Sequence, residues 1–358
     1  MRQRIQGILR RGGKRNLIAG ALNGAYLASA TGLMREARGR GAIFTLHHVR
    51  PASRPVFEAN AHLEITPDFL EAAIVQLRSE GYDFLRLDEL PDRLRSNDTR
   101  PFAVFTLDDG YYDNAEHALP VFERHGVPFT IFITRGFAER THSLWWETLE
   151  ELLPRLEEIE FDFGNGPETV PLKTPAHVQD CFDRFARYVF TEEETTAVAS
   201  IDALARRHGT DPLALTGRLV MGTADLKTLG AHPLAAFGAH TISHRAIARL
   251  SDQEAREELR QSADWLEQQI GMRPTTFAFP YGMPSAVSAR DIGLARDLCF
   301  AVAVTTQPGT LSQHSLNAMT GLPRISLNGY FQRPKYVSAL ASGIPFALSG
   351  RRKAMGTS

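Results

Sequence analysis

The chain has 358 residues, of which 43% are hydrophobic and 23% charged, and its formal net charge is −1. This length allows one large α/β domain or two smaller ones, and the composition is ordinary for a globular protein. Such a charge gives no general attraction for nucleic acid, so no nucleic-acid partner is expected. With only two cysteines, Cys181 and Cys299, a disulfide framework and a zinc–thiolate site are excluded.

Residues 1–40 are expected to form a basic N-terminal arm. The first fifteen residues contain six Lys or Arg and no acid, and an Ala- and Gly-rich stretch follows over 17–34. That stretch is too polar to predict a membrane span, but a basic arm of this kind predicts peripheral contact with anionic lipid. The alternatives are a disordered basic tail and a cleaved export signal that ends near Ala28-Ser29-Ala30.

From residue 41 onward, short apolar runs alternate with amphipathic helical patterns. This alternation predicts parallel strands with helices outside them and right-handed crossovers. The predicted strands cover 42–46, 84–87, 102–107, 127–133, 235–239, 276–279, 300–304 and 323–327. Predicted helices begin at the Thr66-Pro67 cap, at Asp88, at Asn114 and at the capping box of Ser251 and Glu254.

The alternation breaks between residues 134 and 220. There the patterns predict helices over 145–158, 175–190 and 191–208, and a hairpin over 161–172. Because the α/β pattern resumes afterwards, we interpret residues of about 135–222 as a mainly helical insertion in one domain that covers 41–345. A basic tail is expected over 346–358.

Polar clusters follow four of the predicted strands. They are His47-His48, Asp108-Asp109, the pair His240 and His244, and Pro280-Tyr281. Since the carboxyl ends of parallel strands share one face, these clusters should meet in space. Each cluster alone is also typical of a solvated turn, a capping histidine or a plain loop.

A metal site is the chemistry that these residue types suggest. His240 and His244 are spaced i,i+4, and Asp109 adds a carboxylate oxygen, which is a ligand set suited to Zn²⁺ hydrolysis or to non-haem Fe²⁺. Asp108 would then be free to act as a general base. His47 could protonate a leaving group, and the Tyr281 amide could stabilise an oxyanion.

Three motifs together resemble the polysaccharide deacetylase family, carbohydrate esterase family four. They are Thr106-Leu-Asp-Asp-Gly110, His240-Thr-Ile-Ser-His244 and Phe279-Pro-Tyr-Gly282. The resemblance implies a distorted (β/α) barrel with about seven parallel strands and a Zn²⁺-type metal, with another divalent metal as the alternative. Matched by position, Asp108 is the general base, and the ligands are Asp109, His240 and His244. The Tyr281 amide is the oxyanion donor.

The sequence departs from the family pattern at three places. Leu107 stands where Phe is common, which is a mild core change. Ala278 stands where the family often has the arginine that orients the catalytic aspartate, and Arg324 is our candidate for its replacement. The late histidine that usually acts as general acid is also missing, because Gln313 occupies its position.

The early segment Leu46-His47-His48-Val49 is similar to a Tyr-His-x-Val motif in the branch that deacetylates poly-N-acetylglucosamine and related exopolysaccharides. In that branch the early histidine takes the acid's role. We therefore predict His47 as the general acid, with His314 and His48 as alternatives.

The expected function is metal-dependent removal of N-acetyl groups from an exopolysaccharide or chitin-like glycan, with release of acetate. Substrate contacts are expected at Pro280, Tyr281, Trp145 and Arg324, although Trp145 and Trp146 are also typical of an insertion core. The alternatives are an amidase of a small molecule and a catalytically impaired glycan-binding homologue. A cytoplasmic, membrane-associated location is expected, and export is the alternative.

Overall fold

The computed structural model describes residues 2–52, 57 and 59–348, and it describes side chains from Gly13 onward. Seven parallel strands curl into an open barrel in the order β11-β10-β9-β6-β5-β1-β12, and β4 pairs with β5 beside this path. The strands are β1 (Gly41–Leu46), β2 (His48–Val49), β3 (Glu64–Ile65), β4 (Asp83–Phe84), β5 (Phe102–Leu107), β6 (Phe129–Ile133), β7 (Glu158–Asp162), β8 (Pro167–Pro171), β9 (Ala235–Ala239), β10 (Thr276–Ala278), β11 (Val302–Val304) and β12 (Ile325–Ser326).

Helices surround the barrel and form most of the insertion. They are α1 (Arg2–Ala30), α2 (Pro67–Ser79), α3 (Leu90–Arg95), α4 (Leu119–His125), α5 (Arg135–Ala138), α6 (Trp145–Leu152), α7 (Pro175–Thr191), α8 (Glu194–Arg207), α9 (Pro212–Leu219), α10 (Thr223–Gly230), α11 (Asp252–Ile270), α12 (Ala289–Asp297) and α13 (Pro334–Ala341). The distorted (β/α) barrel with a mainly helical insertion is therefore confirmed.

The barrel wall is built from strands that are buried on both faces. β1 and β5 pair in parallel from Gly41 with Phe102 to Leu46 with Leu107, and every residue of both strands is buried. Such strands need continuous apolar runs, because helices cover the outside and side chains fill the inside. A bridge from Val304 to Leu322 brings the two edges of the barrel together.

The capped helix starts agree with the structure, but other predicted starts do not: α3 begins at Leu90 and not at Asp88, α8 begins at Glu194 and not at residue 191, and a π-helical turn over Asn114–Ala118 precedes α4. Thr66 caps α2, and Ser251 with Glu254 forms the capping box of α11. The strand predicted over 84–87 is wrong beyond Phe84, because a 3₁₀ turn over Leu87–Glu89 replaces it. The helix predicted over 145–158 ends at Leu152, where a proline-containing 3₁₀ turn, Leu153–Arg155, follows.

The insertion occupies one crossover connection. β6 and β9 are neighbours in the sheet, so the chain leaves the barrel after Ile133 and returns to the adjacent position at Ala235. Between them the insertion forms an apolar core of its own, which includes Trp145, Trp146 and Phe185. The insertion therefore contacts the barrel at the end where β6 finishes.

The N-terminal arm begins with a 29-residue helix, α1. Its Leu22 and Ala25 are buried in a cluster with Tyr336 and Ala339 of α13. Within the described residues, none of the helices combines the length and the apolar character needed to cross a membrane. Residues 349–358 of the expected basic tail lie outside the described part of the chain.

Gly238 offers a test of barrel packing. A Cβ at this position would lie 2.4 Å from Phe132 ring carbons and 2.6 Å from the Thr276 hydroxyl. We expect Gly238→Ala to lower the free energy of unfolding by roughly 1–3 kcal/mol, because the core must shift to accept the methyl group. Gly293→Ala is the control, since a Cβ on α12 meets nothing within 4 Å. Urea denaturation that finds equal stability for both variants would contradict the packing described.

Candidate metal centre and active site

The carboxyl edge of the barrel, where the parallel strands end, brings the predicted polar clusters together. Asp108 and Asp109 follow β5, His240 follows β9, and Tyr281 lies three residues after β10. His47 follows β1 directly. Residues from four strands thus converge on one edge, as the parallel topology requires.

Asp109, His240 and His244 form a cluster whose ligand atoms lie within 4.8 Å of one another. The Asp109 Oδ1 is 3.7 Å from the Nε2 of His240 and 3.4 Å from the Nε2 of His244. The three side chains are buried, yet Asp109 Oδ1 has no hydrogen-bond partner among the described residues. A buried carboxylate oxygen without a donor is costly unless a cation binds it.

The protonation states of these side chains suit a metal. Burial lowers the pKa of His240 and of His244, so both imidazoles are neutral and can coordinate. His240 Nδ1 lies 2.6 Å from the Ala278 carbonyl oxygen; donation there leaves Nε2 unprotonated toward Asp109. Burial and the adjacent Asp108 raise the pKa of Asp109, which means that its charged form lacks a counter-charge. This set of residues fits a divalent cation.

Asp108 forms a bidentate salt bridge with Arg324. Arg324 Nη1 and Nη2 each donate to a different carboxylate oxygen at 2.7 Å. Further donations from Nε to the Thr305 carbonyl and from Nη1 to the Thr106 hydroxyl, at 2.9 and 3.1 Å, fix the guanidinium. Burial alone would raise the pKa of Asp108, but Arg324 holds it well below its usual range.

Arg324 lies where it can take the orienting role that Ala278 leaves open. It is 1% exposed, and its guanidinium lies over the Phe132 ring inside the barrel. This geometry supports the orienting role that we considered for Arg324. Direct contact between Arg324 and a substrate stays a prediction, and the burial of the guanidinium argues against it.

Four residues of the site adopt the left-handed backbone region without being glycine. The φ angles are 71° for Asp109, 68° for Thr241, 59° for His244 and 58° for Tyr281. Such conformations cost free energy and persist where the surroundings enforce them, which is common at functional sites.

Glu258 of α11 enforces the loop that carries the two histidines, and sequence reasoning missed it. Its Oε2 accepts hydrogen bonds from the amides of Ile242 and Ser243 at 2.7 and 3.0 Å. The available signal was an acidic residue directly before Leu259, on the apolar side of a predicted amphipathic helix. A buried acid at such a position usually has a specific partner.

His47 is the most accessible member of the cluster, with 21% of its side chain exposed. Its Nε2 lies 3.9 Å from Asp108 Oδ2. Burial lowers the pKa of His47 to about 3, although Asp108 opposes this effect. The imidazole is therefore neutral at neutral pH and can accept a proton before it donates one.

His48, the neighbour of His47, belongs to a separate buried network that sequence reasoning also missed. Its Nδ1 is 2.5 Å from Asp113 Oδ2, and its Nε2 is 3.4 Å from Glu147 Oε1. The ring packs against Tyr111 at a tilt of 34°, with the ring centroids 3.6 Å apart. The Tyr111 side chain, which opposes the rise in the pKa of Asp109, accepts a hydrogen bond from Trp146 Nε1 at 3.0 Å.

The other alternative acid, His314, lies at the opposite end of the barrel. It is exposed, and its neighbour Gln313 accepts a hydrogen bond from Arg40, which directly precedes β1. The length of β1, ~20 Å at about 3.3 Å per residue, therefore separates His314 from the carboxyl edge. Of the three candidates, only His47 both approaches Asp108 and reaches solvent.

A cavity of about 320 Å³ lies beside His244, between the insertion and the barrel. Trp145 and Tyr281 line it, together with Glu194 from α8. Trp145 is nevertheless mostly buried in the insertion core, and Pro280 is buried as well. Their predicted contacts with substrate therefore stay predictions.

The sequence profile described as Polysaccharide deacetylase matches residues 95–165 and 181–296. A search of curated proteins finds no significant match. Similar folds occur in IcaB from Ammonifex degensii (16% identity, TM-score 0.53, covering 86% of this chain and 97% of that one). BC0361, a polysaccharide deacetylase from Bacillus cereus, has 14% identity and a TM-score of 0.52, and the match covers 84% of this chain and 68% of that one. A de-N-acetylase from Aggregatibacter actinomycetemcomitans has 10% identity, TM-score 0.52 and coverages of 84% and 99%.

The profile match covers more than half of the chain, and the fold of these solved structures is the same open barrel. The protein belongs to the polysaccharide deacetylase family. Family membership supports a hydrolase that deacetylates a carbohydrate, and the cluster of Asp109, His240 and His244 agrees with a family that is generally metal-dependent.

The Arg324–Asp108 contact predicts a catalytic defect that is separate from metal loss. We expect Arg324→Met to lower kcat by about 10²-fold or more, because the general-base candidate loses both its orientation and its counter-charge. Metal content should stay near that of the wild type, since Arg324 does not contact the ligand cluster. Arg40→Met removes an arginine at the other end of the barrel and should keep kcat. A normal kcat in Arg324→Met would show that Asp108 needs no such partner.

The His48 network predicts a pH dependence of stability. Burial alone would lower the pKa of His48, but Asp113 and Glu147 raise it to about 10. Because the folded value lies above the ordinary value of 6.5, this stabilisation is complete below pH 6.5 and is lost as pH rises toward 10.

We therefore expect the free energy of unfolding to fall between pH 7 and pH 10 with a slope of up to about 1.4 kcal/mol per pH unit from this group. His48→Gln should remove that slope, and the same substitution at the exposed His314 should keep it. Equal pH dependence for His48→Gln and the wild type, measured by urea denaturation, would exclude the charged network.

Proposed function

We propose that the protein is a metal-dependent N-deacetylase that acts on an amino-sugar glycan and releases acetate. One observation carries the proposal: a buried two-histidine, one-carboxylate cluster lies directly beside an arginine-held aspartate. Hydrolysis of an amide needs a polarised carbonyl, a deprotonated water and a protonated amine, and the residues at the carboxyl edge can serve each need.

Asp109, His240 and His244 would hold the metal, for which we propose Zn²⁺ because of its preference for nitrogen and carboxylate ligands with one open position. When bound, such a cation lowers the pKa of water and polarises an amide carbonyl. The neighbouring Asp108 is kept ionised by Arg324, so it can accept a proton at neutral pH.

His47 is the proposed route by which that proton reaches the leaving amine. Its imidazole is neutral and lies 3.9 Å from Asp108. A proton taken up by Asp108 can pass to His47 and then to the sugar nitrogen as the carbon–nitrogen bond breaks. The exposure of His47 supports this order, since it lies between buried Asp108 and the solvent side from which substrate must come.

Tyr281 is the proposed oxyanion residue, and the insertion holds it in place. Its hydroxyl donates to Glu194 Oε1 at 2.7 Å and accepts from Trp145 Nε1 at 3.1 Å. Its backbone is in the left-handed region, and the Thr306 hydroxyl donates to its carbonyl at 2.6 Å. A backbone fixed on both sides is what a preorganised amide donor requires.

The cavity beside His244 supports a second candidate function, which is hydrolysis of a small-molecule amide. Its volume of about 320 Å³ is at the small end of ligand pockets, and the insertion closes one side of it. A catalytically impaired homologue is less well supported. The arginine that the family often has at position 278 is absent here, but Arg324 supplies a partner for Asp108 instead.

The test is acetate release from N-acetylated glycans of graded length and from small N-acetylated amides, with and without a chelator. We expect release from the glycans that stops on chelation and returns with Zn²⁺. Asp109→Asn should lose both metal and activity. Activity that survives complete metal removal would overturn the metal-dependent mechanism, and hydrolysis of small amides alone would favour the second candidate.

The acid role is tested by one substitution at two histidines. We expect His47→Gln to lower kcat by about 10²-fold with normal metal content, whereas His314→Gln should keep the wild-type rate. If the two variants are equally active, His47 does not carry the proton.

A further inference from the structure

The outward face of α1 presents an apolar surface to solvent. From Asn16 to Met34 the sequence contains no charged residue. Leu17 and Leu27 are 75% and 64% exposed. At Gly20 and Gly24, which lie between them, a Cβ atom would have no described neighbour within 4 Å. Within the described part of the chain, the helix therefore packs on one side, where Leu22 and Ala25 contact α13.

The same helix begins with a concentrated positive charge. Residues 2–15 contain five arginines and one lysine, and the first acidic residue of the chain is Glu36. Since α1 runs from Arg2 to Ala30, the basic segment and the uncharged segment are the two halves of one helix. This combination of cations and exposed leucines is typical of helices that bind anionic lipid surfaces.

The basic half lies on the side of the barrel that carries the active site. The Arg15 guanidinium stacks on the Tyr330 ring at 3.6 Å, and Tyr330 lies just beyond the carboxyl end of β12. The other end of α1 is near the amino edge, where Tyr26 lines a cavity with Glu80. Residues 2–14, which form about 20 Å of helix, therefore make up the part of α1 that begins at the carboxyl edge.

We propose that α1 docks the protein on an anionic lipid bilayer. The exposed leucines enter the boundary between headgroups and acyl chains, and the basic half binds the headgroup phosphates. This arrangement holds the active site next to the membrane. A second copy of the chain is the less favoured occupant of this face, because each copy would bring its own cluster of cations.

The experiment is flotation of the full chain with vesicles of phosphatidylcholine that contain about 30 mol% phosphatidylglycerol, compared with vesicles of phosphatidylcholine alone. We expect binding to the anionic vesicles, weaker binding to neutral ones, and loss of binding at high salt. Leu17→Asp/Leu27→Asp should reduce binding by about ten-fold or more, because both carboxylates would have to enter the lipid.

Val75→Asp/Met272→Asp is the matched control, since these hydrophobic side chains are also exposed but lie on other parts of the surface. It should bind as the wild type does, and the melting temperature of each variant checks its fold. The proposal is overturned if the wild type does not bind anionic vesicles, or if the α1 variant binds them equally well. It is also overturned if the wild type is a dimer that the α1 variant converts to monomers without any lipid binding.

Discussion

The contact between Arg324 and Asp108 determines how the two adjacent aspartates differ. Two neighbouring carboxylates in a buried environment cannot both be ionised without cations nearby. The guanidinium satisfies both oxygens of Asp108 and thereby stabilises its charged form. Asp109 receives no such partner, and its Oδ1 faces two neutral imidazoles instead. One cation inside the barrel therefore makes Asp108 a carboxylate and leaves Asp109 in need of another cation.

The insertion contributes side chains that surround the candidate site at the edge of the barrel. Trp146 of α6 donates a hydrogen bond to the Tyr111 hydroxyl, and Glu147 of α6 lies 3.4 Å from His48 beside the ligand cluster. On the other side, Glu194 of α8 accepts from the Tyr281 hydroxyl. Because two insertion helices hold side chains on both sides of the ligand cluster, the left-handed backbone at Asp109 and Tyr281 can persist.

Much of the fold and the ligand cluster could be predicted from the sequence, because their signals are local. Buried strands appear as continuous apolar runs, and His240 and His244 are close along the chain. Asp109 joins them through parallel topology alone, since its strand ends at the same edge.

The supporting interactions could not be predicted in this way, because they join residues far apart in sequence. Arg324 and Asp108 are 216 positions apart, and no periodicity relates them. Glu147 and His48 are 99 positions apart. From the sequence alone, an acidic residue in a helix such as α6 is expected to be an ordinary surface residue. Helix ends were also misjudged where prolines or 3₁₀ turns cut a helical pattern short, as at Leu153–Arg155.

The burial of the ligand cluster restricts how a substrate can approach. Asp108, Asp109 and His240 are almost fully buried, and the insertion covers the side of His244. Under the proposed function, the exposed edge of His47 is the part of the site that an incoming acetamide would meet first. An acid at the entrance, with Asp108 behind it, would keep the leaving amine on the solvent side while the acetyl group enters the site. A chain of sugars could then remain outside the barrel during hydrolysis, which would let so enclosed a site serve a polymer.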